Sequence, residues 1–196
     1  MANVRAIHSV GSSIVTFLRN AYPQSIDGVA MPTCSFELVS GGQLIGEQAE
    51  ATRITLHLYR VTVNEHSRQG RPPGAASTSP PSLGLDLHYL LTAWGANPLD
   101  EQVPLAWAMR RLHTAPVLDR SILSADGGWG RDETVQVLPA DLATEDLMRV
   151  WDALEPPYRL SSAFIARVVR LDPDGDDEQH RRVVAIRESF GVEVGP

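Results

Sequence analysis

Val4, Ile7, Val10, Gly11, Ile14, Phe17 and Leu18 recur at spacings of three and four residues, which predicts an amphipathic helix over about residues 3–19. Tyr22-Pro23 ends it, since proline has no N–H to continue the ladder. From Cys34 the pattern shortens to a strand carrying Phe36 and Leu38, which closes on Ser40-Gly41-Gly42, read as a glycine turn suited to positive φ. Ile54, Leu56 and Leu58 then alternate with Thr55, His57 and Tyr59, the period of a half-buried strand over residues 53–64. Leu83, Leu85, Leu87, Tyr89 and Leu91 alternate again. Their intervening positions (Gly84, Asp86, His88, Leu90, Thr92) turn apolar toward the end, which places this strand centrally in a sheet.

Residues 100–114 carry Val103, Ala106, Trp107, Met109, Arg110 and Leu112 as a helix stopped by Ala115-Pro116, with Pro104 assigned to its first turn. Residues 127–130 (Gly-Gly-Trp-Gly) read as a loop, and 134–138 as a short strand with Val135 and Val137 on one face. Thr144 is placed as the cap of a further helix. There Glu145 and Asp146 favour the macrodipole, Leu147, Met148, Val150, Trp151 and Leu154 form the apolar side, and Pro156-Pro157 ends the element. A long strand over 158–171 follows, with Leu160, Phe164, Ile165, Val168, Val169 and Leu171. No repeat of fixed period is present. Together these elements predict a single α+β domain over residues 1–171, with a mixed, mostly antiparallel sheet packed by the N-terminal helix and two others.

Two stretches fall outside this pattern. Residues 64–81 are rich in Gly, Pro, Ser and Thr and hold too few large apolar groups to offset the entropy of ordering, so a mobile loop is expected. Residues 172–196 open with the acidic break Asp172-Pro173-Asp174-Gly175-Asp176-Asp177-Glu178 and continue with two β-prone stretches, Val183-Val184-Ala185-Ile186 and Val192-Glu193-Val194. They read as a C-terminal arm without a core of its own, expected to lend its backbone to the sheet of a neighbouring subunit.

Composition narrows the chemistry. A chain of 196 residues, 43% hydrophobic, can bury a core without crosslinks or metals. Cys34 is the only cysteine, so no intrachain disulfide or multi-cysteine metal site can form, and a reducing, cytoplasmic setting is expected. Met1-Ala2-Asn3-Val4-Arg5 lacks the apolar core of a signal peptide, and no run is long enough for membrane insertion. All 17 basic residues are arginine, which removes lysine Schiff bases and the P-loop lysine. A net charge of -7 argues against nucleic acid as partner.

Candidate catalytic groups are few. Asp86 and His88, two apart on one strand, share a face and could pair a carboxylate with an imidazole in a small hydrolase or ligand-binding domain. No Gly-x-Ser-x-Gly elbow supplies a nucleophile and Cys34 has no basic neighbour, so the pair reads as a surface or interface feature. Asp172-x-Asp174-x-Asp176 imitates the start of a calcium loop, but Asp177 and Val183 stand where that loop needs glycine and glutamate. His8, His57, His66, His88, His113 and His180 show no helical i, i+4 pair, so neither metal nor cofactor is expected. Trp107 and Trp151 lie at core spacing on helices. Trp94 and Trp129, nearer loops, are the interface candidates, together with Val183, Val184, Ile186, Val192 and Val194 of the arm.

The runs Ile54-Thr-Leu-His-Leu-Tyr-Arg-Val-Thr-Val-Asn-Glu and Leu83-Gly-Leu-Asp-Leu-His-Tyr-Leu-Leu-Thr-Ala-Trp-Gly resemble the N-terminal domain of the Pvc/Afp-type cap proteins. Arg111-Leu-His-Thr-Ala-Pro-Val-Leu, Glu145-Asp-Leu-Met-Arg-Val-Trp-Asp-Ala-Leu and Pro157-Tyr-Arg-Leu-Ser agree in the same order. The resemblance covers about residues 3–171 and departs at the C-terminus, where some members continue further. It implies a tail-terminator-like fold and a non-enzymatic structural role. The expected assembly is a homo-hexameric ring that contacts sheath and inner-tube subunits and caps a bacterial contractile injection system. An adaptor for sheath subunits is a third reading, distinguished by its absence from finished particles.

Overall fold

The computed structural model describes residues 2–44, 51–64, 82–154 and 157–173. The elements run α1 (Ala6–Ala21), β1 (Ser25–Ile26), β2 (Val29–Ala30), β3 (Ser35–Val39), α2 (Gly41–Leu44), β4 (Arg53–Val63), β5 (Leu83–Trp94), α3 (Pro98–Thr114), β6 (Val117–Leu118), β7 (Val135–Pro139), α4 (Thr144–Leu154) and β8 (Ser161–Leu171). A 3-10 turn, Ala125–Gly127, precedes β7. The main sheet has the order β3-β4-β5-β8-β7-β6. Only β3 and β4 run parallel; every other neighbouring pair is antiparallel. The α+β fold and the central position expected for the 83–94 strand both hold.

Alternation along β5 builds two cores on opposite faces of the sheet. Leu85, Leu87, Tyr89, Leu91 and Ala93 point into the larger one, beneath Ala6, Val10, Ile14 and Leu18 of α1 and Leu105, Ala108 and Leu112 of α3. Leu90 and Trp94 point the other way and are covered by Leu44 of α2 and Trp151 of α4. Burying a side chain of this size is worth about 1.5–3 kcal/mol, and Leu147, Val150 and Leu154 of α4, partly buried, pack against the same cluster. The helix α1 approaches the sheet closely at Gly11, where a Cβ would stand 2.8 Å from Leu38 Cδ1, while the buried Ser9 and Ser13 bond to Ser124 of the loop before β7.

Several local details differ from the sequence expectations. The helix α3 begins at Pro98, because the Asn97 side chain accepts a hydrogen bond from the Asp100 amide at 3.1 Å and proline is suited to the first turn. Pro104 therefore lies inside the helix and not in its first turn. Gly41 and Gly42 form the helical start of α2; among the described residues the positive-φ glycines are Gly28 and Gly128. Thr144 is the first residue of α4 and not its cap. Two short strands, β1 and β2, turn on Asp27 (φ 51) and Gly28 (φ 80), the left-handed pair a tight hairpin needs. The loop expected at 64–81 and the break and arm expected at 172–196 lie outside the described residues, apart from Asn64, Asp172 and Pro173.

Candidate functional site

Asp86 and His88 lie on the second face of the sheet, beyond the part covered by α4. Bulges interrupt both neighbouring ladders here, between Leu58 and Arg60 on β4 and opposite Asp86 on β8. The two side chains hold different partners. The Asp86 carboxylate accepts from Asn64 Nδ2 at 3.0 and 3.1 Å and faces Arg167 Nε at 3.8 Å. His88 Nε2 is 3.0 Å from Thr62 Oγ1, and the ring meets Tyr59 edge-on at 6.1 Å. Burial, followed by the charge of Arg60, pushes the His88 imidazole below its usual value. The carboxylate orients an amide and a guanidinium, the imidazole orients a hydroxyl, and the geometry is that of a polar surface network. It gives no support to a hydrolase built on this pair.

Cys34 is equally unsuited to attack. Desolvation, with a smaller push from Glu37, raises its thiol to about 12 despite an opposing backbone hydrogen bond at Ile54, so little thiolate exists near neutrality. Among the described residues no cluster of histidine, cysteine, aspartate and glutamate could hold a metal ion, and no helix is long and apolar enough to cross a membrane.

Of the two candidate surface tryptophans, Trp94 is not at the surface. It is 5% exposed, its Nε1 donates to Thr55 Oγ1 at 2.9 Å, and the guanidinium groups of Arg53 and Arg159 lie 5.0 and 5.5 Å from its ring centroid. The end of β5 is roofed by α4, which proximity to a loop in sequence does not reveal. Trp129 is half-buried. Its Nε1 donates to Ser9 Oγ at 3.0 Å, tying the loop to α1, and its ring borders a hollow of about 390 Å³ shared with Arg167, Arg170 and Asp132. Trp107 and Trp151 are core residues, as their helical spacing predicts. Val183, Val184, Ile186, Val192 and Val194 lie outside the described residues.

A feature that sequence reasoning missed is a second surface, an apolar groove of about 560 Å³ between α1 and the β3–β4 edge, with Tyr89 among its lining residues. Its origin is a mismatch of strand lengths. The β3 ladder ends at the pair Val39 and His57, while β4 continues to Val63. Among the described residues no strand pairs with the outer side of β4 from Leu58 onward. Val61 and Val63 remain 44% and 42% exposed beside the buried Leu87 and Leu85.

The arrangement is a mixed sheet between two helical layers. It is shared with a cryo-EM structure of an extracellular contractile injection system, the PVC sheath/tube terminator in the extended state, at TM-score 0.55 and 19% identity. It is likewise shared with a cryo-EM structure of the anti-feeding prophage cap (AFP tube terminating cap), at TM-score 0.54 and 16% identity. The alignments cover 98% and 92% of this chain and 66% and 60% of those chains, so this chain spans less than two thirds of either. The model of the Pvc16 N-terminal domain matches residues 9–185, and the chain belongs to that family. No curated protein matches it significantly.

Proposed function

We propose that this chain is a structural terminator of a contractile injection system, assembling as a homo-hexameric ring that ends tube and sheath growth by contacting the last subunits of each. The observation that carries the reading is the family match over residues 9–185, on a fold shared with two solved terminators. Enzymatic activity forms no part of it. Asp86 and His88 engage separate partners, the Asn64 amide and the Arg167 guanidinium for the carboxylate and the Thr62 hydroxyl for the imidazole. Assembly would take place in the cytoplasm, and the chain would remain in the finished particle. Ring closure needs two different, mutually complementary flanks on each subunit. Trp129 at its hollow is one candidate contact, with Val192 and Val194 of the arm as others.

Electron microscopy and mass spectrometry of purified particles test this reading. Particles from the parent strain should carry the chain at one end in ring form, and particles made without it should have tubes and sheaths of uncontrolled length. Normal length distributions in the deletion strain would refute the terminator role.

A further inference from the structure

We propose that a hollow at the C-terminal end of α3, carrying Arg110 and Arg111, receives the carboxylates on the outer face of α4 from a second copy of this chain. The hollow, about 450 Å³, is lined by Ala21 at the end of α1 and by Trp107, Arg110, Arg111 and Thr114. Its cationic side is set in place before any partner arrives. Arg111 Cζ lies 4.6 Å from the Phe17 ring centroid, and the Arg111 Nε–H is buried with no hydrogen-bond acceptor among the described residues. Stacking on an aromatic ring fixes the plane of a guanidinium and removes part of its hydration. Among the described residues no carboxylate pairs with Arg111 or with the exposed Arg110 beside it. Neither guanidinium is engaged in capping the helix, since Thr114 Oγ1 and the Ala115 amide already donate to the Arg111 carbonyl. A partly desolvated cation without a counter-charge costs the isolated subunit stability. An incoming carboxylate offsets that cost through charge-assisted hydrogen bonds to the guanidinium fork.

The identity of the partner follows from charge and from the layering of the fold. The chain holds 24 acidic residues against 17 arginines, and α4 with its lead-in exposes Asp141, Glu145, Asp146 and Asp152 against a single cation, Arg149. That cation is already engaged, by Asp146 at 3.5 Å. Glu145 and Asp152, seven residues and so about two turns apart, stand on one face of the helix. Neither has an ion pair among the described residues. The helix α3 packs on the side of the sheet that bears the larger core and α4 on the opposite side, so the hollow and the acidic face meet only between copies. Each copy joined in this way keeps its other surface for the next one, a head-to-tail contact that closes as a ring when the rotation between copies permits. The inference rests on the ring reading above and names the two complementary flanks that reading requires.

Charge reversal on each side, in the full chain and in assembled particles, tests it. One variant carries Arg110→Glu/Arg111→Glu and the other Glu145→Arg/Asp152→Arg, each produced alone and then both together in a strain lacking the parent chain. Either variant alone sets like charges against each other at every junction, so it should be missing from particle ends, with tubes and sheaths of uncontrolled length. Produced together, the two can alternate around a six-membered ring in which every junction again joins opposite charges. Capped particles of parental length should then return, with the two chains in equal amounts by mass spectrometry. Where a variant melts below the parent chain, the milder pair Arg110→Glu and Glu145→Arg, both at exposed positions, carries the comparison. Normal caps from either variant alone, or no recovery from two variants that melt like the parent chain, overturns the proposal and leaves the terminator reading standing. A parent chain absent from particle ends overturns both.

Discussion

Gly127 lies directly against the indole of Trp129: a Cβ at residue 127 would stand 2.6 Å from Trp129 Cε2 and 2.9 Å from Ser9 Oγ. The indole cannot retreat without losing its bond to Ser9. Ser9 Oγ in turn donates to the Ser124 carbonyl at 3.0 Å, and the Ser124 amide donates to Ser13 Oγ at 2.8 Å. Gly127→Ala should therefore cost about 1–3 kcal/mol by overpacking. A drop in the urea midpoint at unchanged slope, with a red-shifted tryptophan emission, is the expected result.

A buried polar contact joins the smaller core to β4. Trp94 Nε1 donates to Thr55 Oγ1 at 2.9 Å, and both residues are buried. Thr55→Val keeps the shape and strands the indole N–H, a loss of about 1–3 kcal/mol. Thr55→Ser keeps an acceptor and should recover part of that loss, which chemical denaturation of the two variants will compare.

The long elements were legible because each carries a period of its own. β4 alternates from Ile54 to Leu58 and β5 from Leu83 to Leu91, β8 is a long run rich in apolar and β-branched residues, and α1 and α4 keep their apolar positions three and four apart. What escaped was set by contacts between elements distant in sequence. Leu90 marked an apolar turn on the second face of β5, but only the fold places Trp151 over it and over Trp94. The groove was invisible because it arises from where β3 stops relative to β4, and a register carries no local signature. The Asp27-Gly28 hairpin and the Asn97-Pro98 helix start are different cases, since both have local signals that were passed over.

Alkaline pH should unfold this protein early. Desolvation raises Cys34 from 9.0 to about 12 and Tyr22 from 10.0 to about 12, and burial also raises Tyr89. Each group stays protonated in the fold while the unfolded chain loses the proton. The stability they lend is thus full below about pH 9 and falls as pH climbs toward 12. Urea midpoints at pH 8, 9.5 and 11 should decline in that order, and Cys34→Ser should lessen the decline between the first two.

The opposite sign applies to His88. Its imidazole is held below the usual 6.5 first by burial, next by Arg60 and also by Arg167, with Asp86 acting against them. The folded state therefore resists protonation that the unfolded chain accepts, so stability is complete above about pH 6.5 and drops as pH falls below it. The partners make the origin separable. Arg60→Ala removes a repelling charge from an exposed position of β4 and should move the His88 titration up toward its ordinary value. Asp86→Asn removes the attracting charge and should move it further down. His88→Gln removes the titration and leaves a polar group beside Thr62, so its stability should fall less than that of the parent chain between pH 7 and 5. Histidine ring resonances followed by NMR give the titrations, and denaturant midpoints at the two pH values give the linkage. A His88 titration at or above 6.5 in the parent chain would contradict the burial from which the argument starts.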